Sequence, residues 1–188
     1  MKNIIYLLVI ALFIGGCSYK NQPIALQSYE ANYHGEISKE NKTVYISKVK
    51  DLRANKRNIG YTLQNGEKDI SLFSDINFEK KYKDALLYAL NIAEFNTATN
   101  AEDAALLVEI YIKKIELVYT DKNFEENLKG EINIEVVVKN GKTTSRQNFK
   151  QKAGKWISPS YDSKDFEPFL TTLFSDNIDN IVSKLAEI

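Results

Sequence analysis

The chain has 188 residues, 25 Lys plus Arg against 25 Asp plus Glu, and a formal net charge of +0. Hydrophobic residues make up 44% and charged residues 27%, the balance of one folded domain rather than of a disordered chain. Neutrality argues against a general nucleic-acid binder, one Cys excludes an internal disulfide, and one His excludes a multi-His metal site.

Met1-Lys2-Asn3 is followed by an apolar run from Ile4 to Ile14. A membrane-spanning helix needs roughly 17–25 apolar residues, so this run has the length of a secretory h-region instead. Ile14-Gly15-Gly16-Cys17 then resembles the lipobox of bacterial lipoproteins, an aliphatic residue and two small residues before Cys. The resemblance implies cleavage between Gly16 and Cys17 and attachment of diacylglycerol to the Cys17 thiol. Small side chains at Gly15 and Gly16 leave the backbone open to a peptidase. The only Cys of the chain stands at this position, which favours lipidation over a plain leader with an incidental Cys. Each buried acyl CH₂ contributes about 0.8 kcal/mol, so two or three chains hold the protein firmly on a membrane. Ser18, where Asp would retain the protein in the inner membrane, implies an outer-membrane lipoprotein facing the periplasm.

The division expected is a signal peptide over 1–16, a lipidated Cys and flexible tether over 17–41, and a single domain over 42–188. The tether segment is polar, lacks sustained periodicity and holds the only His, His34, which reads as solvated. A flexible chain of that length would span about 27 Å.

From Lys42 the pattern is ordered. Val44 and Ile46 alternate with Thr43, Tyr45 and Ser47 in a first strand over 42–49, followed by Asp51-Leu52-Arg53. A second extended stretch over 57–63 ends at Asn65-Gly66, a turn pair tolerant of positive φ, and a short strand is expected around 69–73. Phe78, Tyr82, Ala85, Leu86, Ala89, Leu90 and Ala93 form one stripe of a helix over 78–94. Residues 104–120 read as a long strand whose apolar phase breaks at Lys113-Lys114, so a β-bulge is expected there. Leu128, Gly130, Ile132, Ile134, Val136 and Val138 alternate in the next strand, and Asn140-Gly141 closes a hairpin into 143–152. That last strand is polar on both faces, as suits a sheet edge. Phe166, Phe169, Leu170, Leu173, Phe174, Ile178, Ile181 and Leu185 line a final helix, with Pro168 in its first turn. The expected fold is α+β, two layers, an antiparallel sheet with both helices packed on one face.

This order behind a lipobox resembles the YajG family of bacterial lipoproteins. The resemblance rests on the first strand leading into Asp51-Leu52-Arg53, the helix after the second turn, the strand from Leu106 to Tyr119, the Asn140-Gly141 hairpin and the amphipathic C-terminal helix. It covers nearly all of the domain, leaves out the tether and residues 156–161, and implies no catalytic residues.

The chemistry-bearing patterns are sparse. No Gly-x-Ser-x-Gly, Gly-rich phosphate loop or calcium loop is present, and the lone His lies in the tether. No cofactor and no metal site are expected, and no enzyme activity. Asp51 and Arg53 read either as a binding edge at the end of the first strand or as a local salt bridge, the second being favoured. Residues 152–161 gather Lys152, Lys155, Trp156 and Tyr161 around Pro159, a composition typical of contact surfaces. The opposing reading, the one favoured by the residues alone, makes Trp156 a plug at one end of the core. Two function classes follow: a non-catalytic envelope module that binds a protein, peptidoglycan or lipid partner from its membrane anchor, or a hydrolase of envelope polymers using a carboxylate pair. The lack of a His or thiol in the domain favours the first.

Overall fold

The computed structural model describes residues 21–29, 33–38, 40, 42–121 and 125–188. The leader, Gly16 and Cys17 lie outside the described residues. In chain order the elements are β1 (Thr43–Asp51), β2 (Asn58–Gln64), β3 (Glu67–Phe73), α1 (Phe78–Ile92), β4 (Asn96–Thr97), β5 (Leu106–Thr120), β6 (Leu128–Asn140), β7 (Thr143–Lys155), a 3₁₀ turn (Ser163–Phe166) and α2 (Glu167–Ala186).

β5 is the spine of the sheet. Along one edge it pairs antiparallel with β6, from Leu106↔Asn140 to Tyr119↔Leu128. Its other edge is divided between two parallel partners, β1 (Val44↔Leu106 to Asp51↔Ile112) and β2 (Gly60↔Leu117 to Leu63↔Thr120). β3 lies antiparallel outside β2, β4 parallel outside β1, and β7 antiparallel outside β6 as an edge strand. The sheet is therefore mixed, not antiparallel as expected. The physical reason is α1: a helix between the early strands and β5 carries the chain back over the sheet, so the strands on either side run the same way.

The bulge expected in β5 is present. Pairing jumps from Ile112↔Ile134 to Lys114↔Asn133, and Lys113 is the extra residue. Leu106, Val108, Ile110 and Ile112 before it, and Ile115, Leu117 and Tyr119 after it, all face the core. At the β2–β3 turn, Asn65 and Gly66 have φ of 53° and 88°, the left-handed conformations that this pair accepts.

Both helices pack on one face, α1 against β1 and α2 against β6 and β7, and they also meet each other. The predicted α1 stripe is buried, and Asn77 caps the helix by accepting from the Lys80 N–H. Tyr82 packs edge-on against Phe174 at 4.8 Å and donates to Asn177 Oδ1 at 3.2 Å. Asn177 in turn donates to the Phe149 carbonyl at 3.2 Å, so the Tyr82 hydroxyl and the Asn177 amide are both satisfied between α1, α2 and β7. A capping box between Asp162 and Asp165 starts the 3₁₀ turn, and Pro168 falls in the first turn of α2.

The flexible tether expected over 17–41 is docked where it is described. Asn21 Nδ2 donates to the Ser71 carbonyl (3.1 Å), the Gln22 N–H to Ser163 Oγ (2.9 Å) and the Ile24 N–H to the Phe73 carbonyl (2.8 Å). Ser74 Oγ returns a bond to the Ile24 carbonyl at 2.6 Å. Ile24, Leu26, Tyr29 and Tyr33 are buried in the main core, Tyr29 edge-on to Tyr88 and donating to Asp179. Four apolar side chains removed from water outweigh the flexibility that polarity alone suggested.

The sheet face away from the helices is a lattice of ion pairs: Lys139–Glu109, Lys113–Glu135, Arg146–Glu135, Lys114–Glu116, and Glu131 with Lys114, Lys150 and Lys152.

Candidate functional site

β7 ends at Lys155, and the chain then crosses the end of the sheet to reach α2. Asn127, just before β6, pins this crossing. Its Nδ2 donates to the Ile157 carbonyl at 2.7 Å and its Oδ1 accepts from the Ile157 N–H at 2.8 Å, both in buried surroundings. The side-chain amide thus copies a ladder pair one residue beyond the strand. Ile157 is buried, while Trp156 before it is 49% exposed. An indole held outward on a fixed backbone is not the core plug that the opposing reading supposed.

The rest of the predicted cluster divides. Lys155 is exposed. Lys152 Nζ lies 3.7 Å from Glu131 on the open face. Tyr161 turns inward, its ring 4.2 Å from Tyr119 and 5.4 Å from Phe166, so it belongs to the core margin rather than to the exposed set. Beside the end of β7 the open face carries a depression of about 380 Å³, lined by Val118, Lys129, Gly130, Glu131, Lys152 and Gly154, among others.

Asp51 and Arg53 are placed elsewhere and are internal. Their side chains are 3% and 6% exposed, with Arg53 Nη2 2.7 Å from Asp51 Oδ2 and Nε 3.0 Å from Oδ1. The guanidinium also donates to the Asn58 and Lys56 carbonyls (3.2 and 2.8 Å) and lies over Phe78 at 4.8 Å. The pair closes the excursion over residues 52–57 between β1 and β2. That is the local salt bridge favoured by the sequence, except that it is buried.

Two kinds of carboxylate matter for the hydrolase alternative. On the open face, hydrogen bonds from Lys139 and Tyr111 hold the Glu109 carboxyl below its ordinary range. Burial would raise that of Glu131, but hydrogen bonds from Lys150 and Lys114 outweigh it and the value falls. On α2, Asp176 and Asp179 are both raised, chiefly by burial. Asp176 accepts from Gln151 and Asp179 from Tyr29. Neither lines the depression at β7, nor those bounded by Tyr29 and Tyr88 or by Ser145 and Lys184. Among the described residues no group of three His, Cys, Asp or Glu is placed to hold a metal ion.

Sequence reasoning passed over Asn127, Glu131, Asp176 and Asp179. Asn127 carries a local signal, an Asn directly before a strand, where its side chain can substitute for backbone pairing. Glu131 became visible only when β5, β6 and β7 were brought into register, and Asp176 and Asp179 only when Gln151 of β7 and Tyr29 of the N-terminal segment were brought against α2.

A mixed seven-stranded sheet with two helices packed on one face places the chain in the α+β class of folds. A family model described as uncharacterized lipoprotein, Lipoprotein_16, matches residues 31–184, and the chain belongs to that family. Protein XCC0632 from Xanthomonas campestris, of family DUF330, has a similar fold, with a TM-score of 0.52, 9% identity and coverage of 87% of this chain and 91% of that one. An uncharacterized protein is similar with a TM-score of 0.51, 6% identity and coverage of 88% and 98%. At these identities the likeness is one of fold alone. No curated protein sequence matches the chain. Among the described residues no helix is long and apolar enough to cross a membrane.

Proposed function

We propose that this lipoprotein is a non-catalytic, YajG-like binding module, anchored through Cys17 to the outer membrane with its domain toward the periplasm. Its contact surface is the crossing after β7, built on Trp156 and Lys155 with Lys152 beside them. The observation that carries this reading is Trp156 itself, half exposed yet fixed by the Asn127–Ile157 pair. Such an indole offers a large contact area and loses little entropy on binding. Asp176 and Asp179, engaged with Gln151 and Tyr29, give the hydrolase reading no comparable support.

Crosslinking in the living envelope tests the proposal. Trp156→Ala should abolish crosslinks from this loop while changing stability by less than about 1 kcal/mol. Unchanged crosslinks, or a loss of about 3–5 kcal/mol as for a core aromatic, would overturn it. Cys17→Ser should leave unprocessed precursor without lipid label.

A further inference from the structure

We infer that the partner of the Trp156 surface is the lipid leaflet that carries the protein's own anchor. This rests on the proposed lipidation of Cys17 and on the contact role of Trp156. Asn21 is four chain steps from Cys17, a reach of no more than about 14 Å. Asn21 is bonded to the Ser71 carbonyl and Gln22 to Ser163 Oγ. The chain thus joins the domain beside the 3₁₀ turn (Ser163–Phe166), the segment that follows the Trp156 crossing.

The remaining links are equally short. Tyr161, two residues before Ser163, packs against Tyr119 with ring centroids 4.2 Å apart. Tyr119 pairs with Leu128, and Leu128 pairs with Lys155. Two strand spacings, about 10 Å, therefore separate Tyr119 from the residue next to Trp156. The point where the described chain enters the domain and the exposed indole thus lie toward one end of the sheet. A free tether of about 27 Å would let the domain roll in any direction. A docked one holds this end at the headgroups. Trp is the side chain favoured at that depth, its ring among acyl carbons and its N–H toward water, with a basic neighbour such as Lys155 suited to lipid phosphates.

The chain has a single Trp, so its emission reports position 156 alone. The full lipidated protein is reconstituted in phosphatidylethanolamine–phosphatidylglycerol vesicles, with and without bromine on the acyl chains. The expected result is a blue-shifted emission that falls to about half in brominated vesicles, with shielding from aqueous acrylamide. Emission indifferent to bromine and fully open to acrylamide overturns the inference. Its failure is separable from failure of the parent readings. If bromine has no effect but Trp156→Ala still abolishes crosslinks to an envelope protein, the contact surface stands and the lipid partner falls. If both are silent, both fall. Mass spectrometry showing Cys17 without lipid removes the anchor on which the placement depends.

Discussion

Gly130 of β6 lies directly beneath Leu173 and Phe169 of α2, and it supports a two-residue test of the packing. A Cβ added there would lie 2.3 Å from Leu173 Cδ1, 2.8 Å from Phe169 Cε1 and 3.1 Å from Leu117 Cδ2. Carbon atoms rest at about 3.5–4.0 Å, so Leu173 or the helix must retreat by more than about 1 Å. Leu173 is fully buried and Phe169 is 5% exposed, which leaves neither ring nor isobutyl group an empty direction to swing. Gly130→Ala should therefore cost about 1–3 kcal/mol, the range for overpacking. Leu173→Ala alone should cost about 2–5 kcal/mol through transfer and cavity terms. In the double variant the new methyl group enters the space that the leucine vacates. The combined loss should fall short of the sum by at least about 1 kcal/mol. Urea unfolding of residues 21–188, followed by circular dichroism, measures all three. Additive losses, or a Gly130→Ala loss under about 0.5 kcal/mol, would refute this helix–sheet contact.

Asp51→Ala should destabilise the domain by about 3–5 kcal/mol in denaturant melts, because it leaves the buried Arg53 guanidinium without its carboxylate. Asn127→Ala should cost about 1–3 kcal/mol and lower the fluorescence anisotropy of Trp156, since it frees the Ile157 backbone on both sides. Asp179 carries the opposite sign from a salt-bridged acid. Its folded pKa is raised above the ordinary 3.8, chiefly by burial, so the folded state holds the proton more tightly than the unfolded chain does. Its ionisation therefore subtracts stability as pH rises through the range above 3.8. Asp179→Asn, which keeps an acceptor for Tyr29, should gain in Tm relative to the parent from about pH 4 upward and then level off. A pH-independent offset in thermal melts would contradict that assignment.

Much of the fold was legible because burial imposes simple periods. The period-3.6 stripe from Phe78 to Ala93 and the phase break at Lys113-Lys114 each mapped onto the structure. Strand direction was not legible from alternation, since parallel and antiparallel partners bury the same side-chain set. The strand–helix–strand order around α1 was the available signal. The docking of residues 21–29 escaped because Ile24, Leu26 and Tyr29 are too irregularly spaced to show a period. Their burial depends on a groove made by β3, α1 and α2. At the candidate site, composition singled out Trp156 and Lys155, but exposure is a tertiary property. Nothing in the sequence separated Trp156, which faces out, from Tyr161, which packs inward against Tyr119 and edge-on to Phe166.

The divided edge of β5 also sets an order of assembly. β5, β6 and β7 follow one another closely in the chain, and β2 meets β3 across Asn65-Gly66, so both hairpin systems close small loops. The parallel pairings are remote: Val44 reaches Leu106 and Gly60 reaches Leu117 across the whole of α1. Loop closure makes such contacts slow to form. The β5–β7 meander should therefore be in place when β1 and β2 arrive. Truncations in β1, such as Ile46→Val, are then expected to speed unfolding while leaving the folding rate nearly unchanged. The folding chain would complete its sheet by capturing its own earliest strands last.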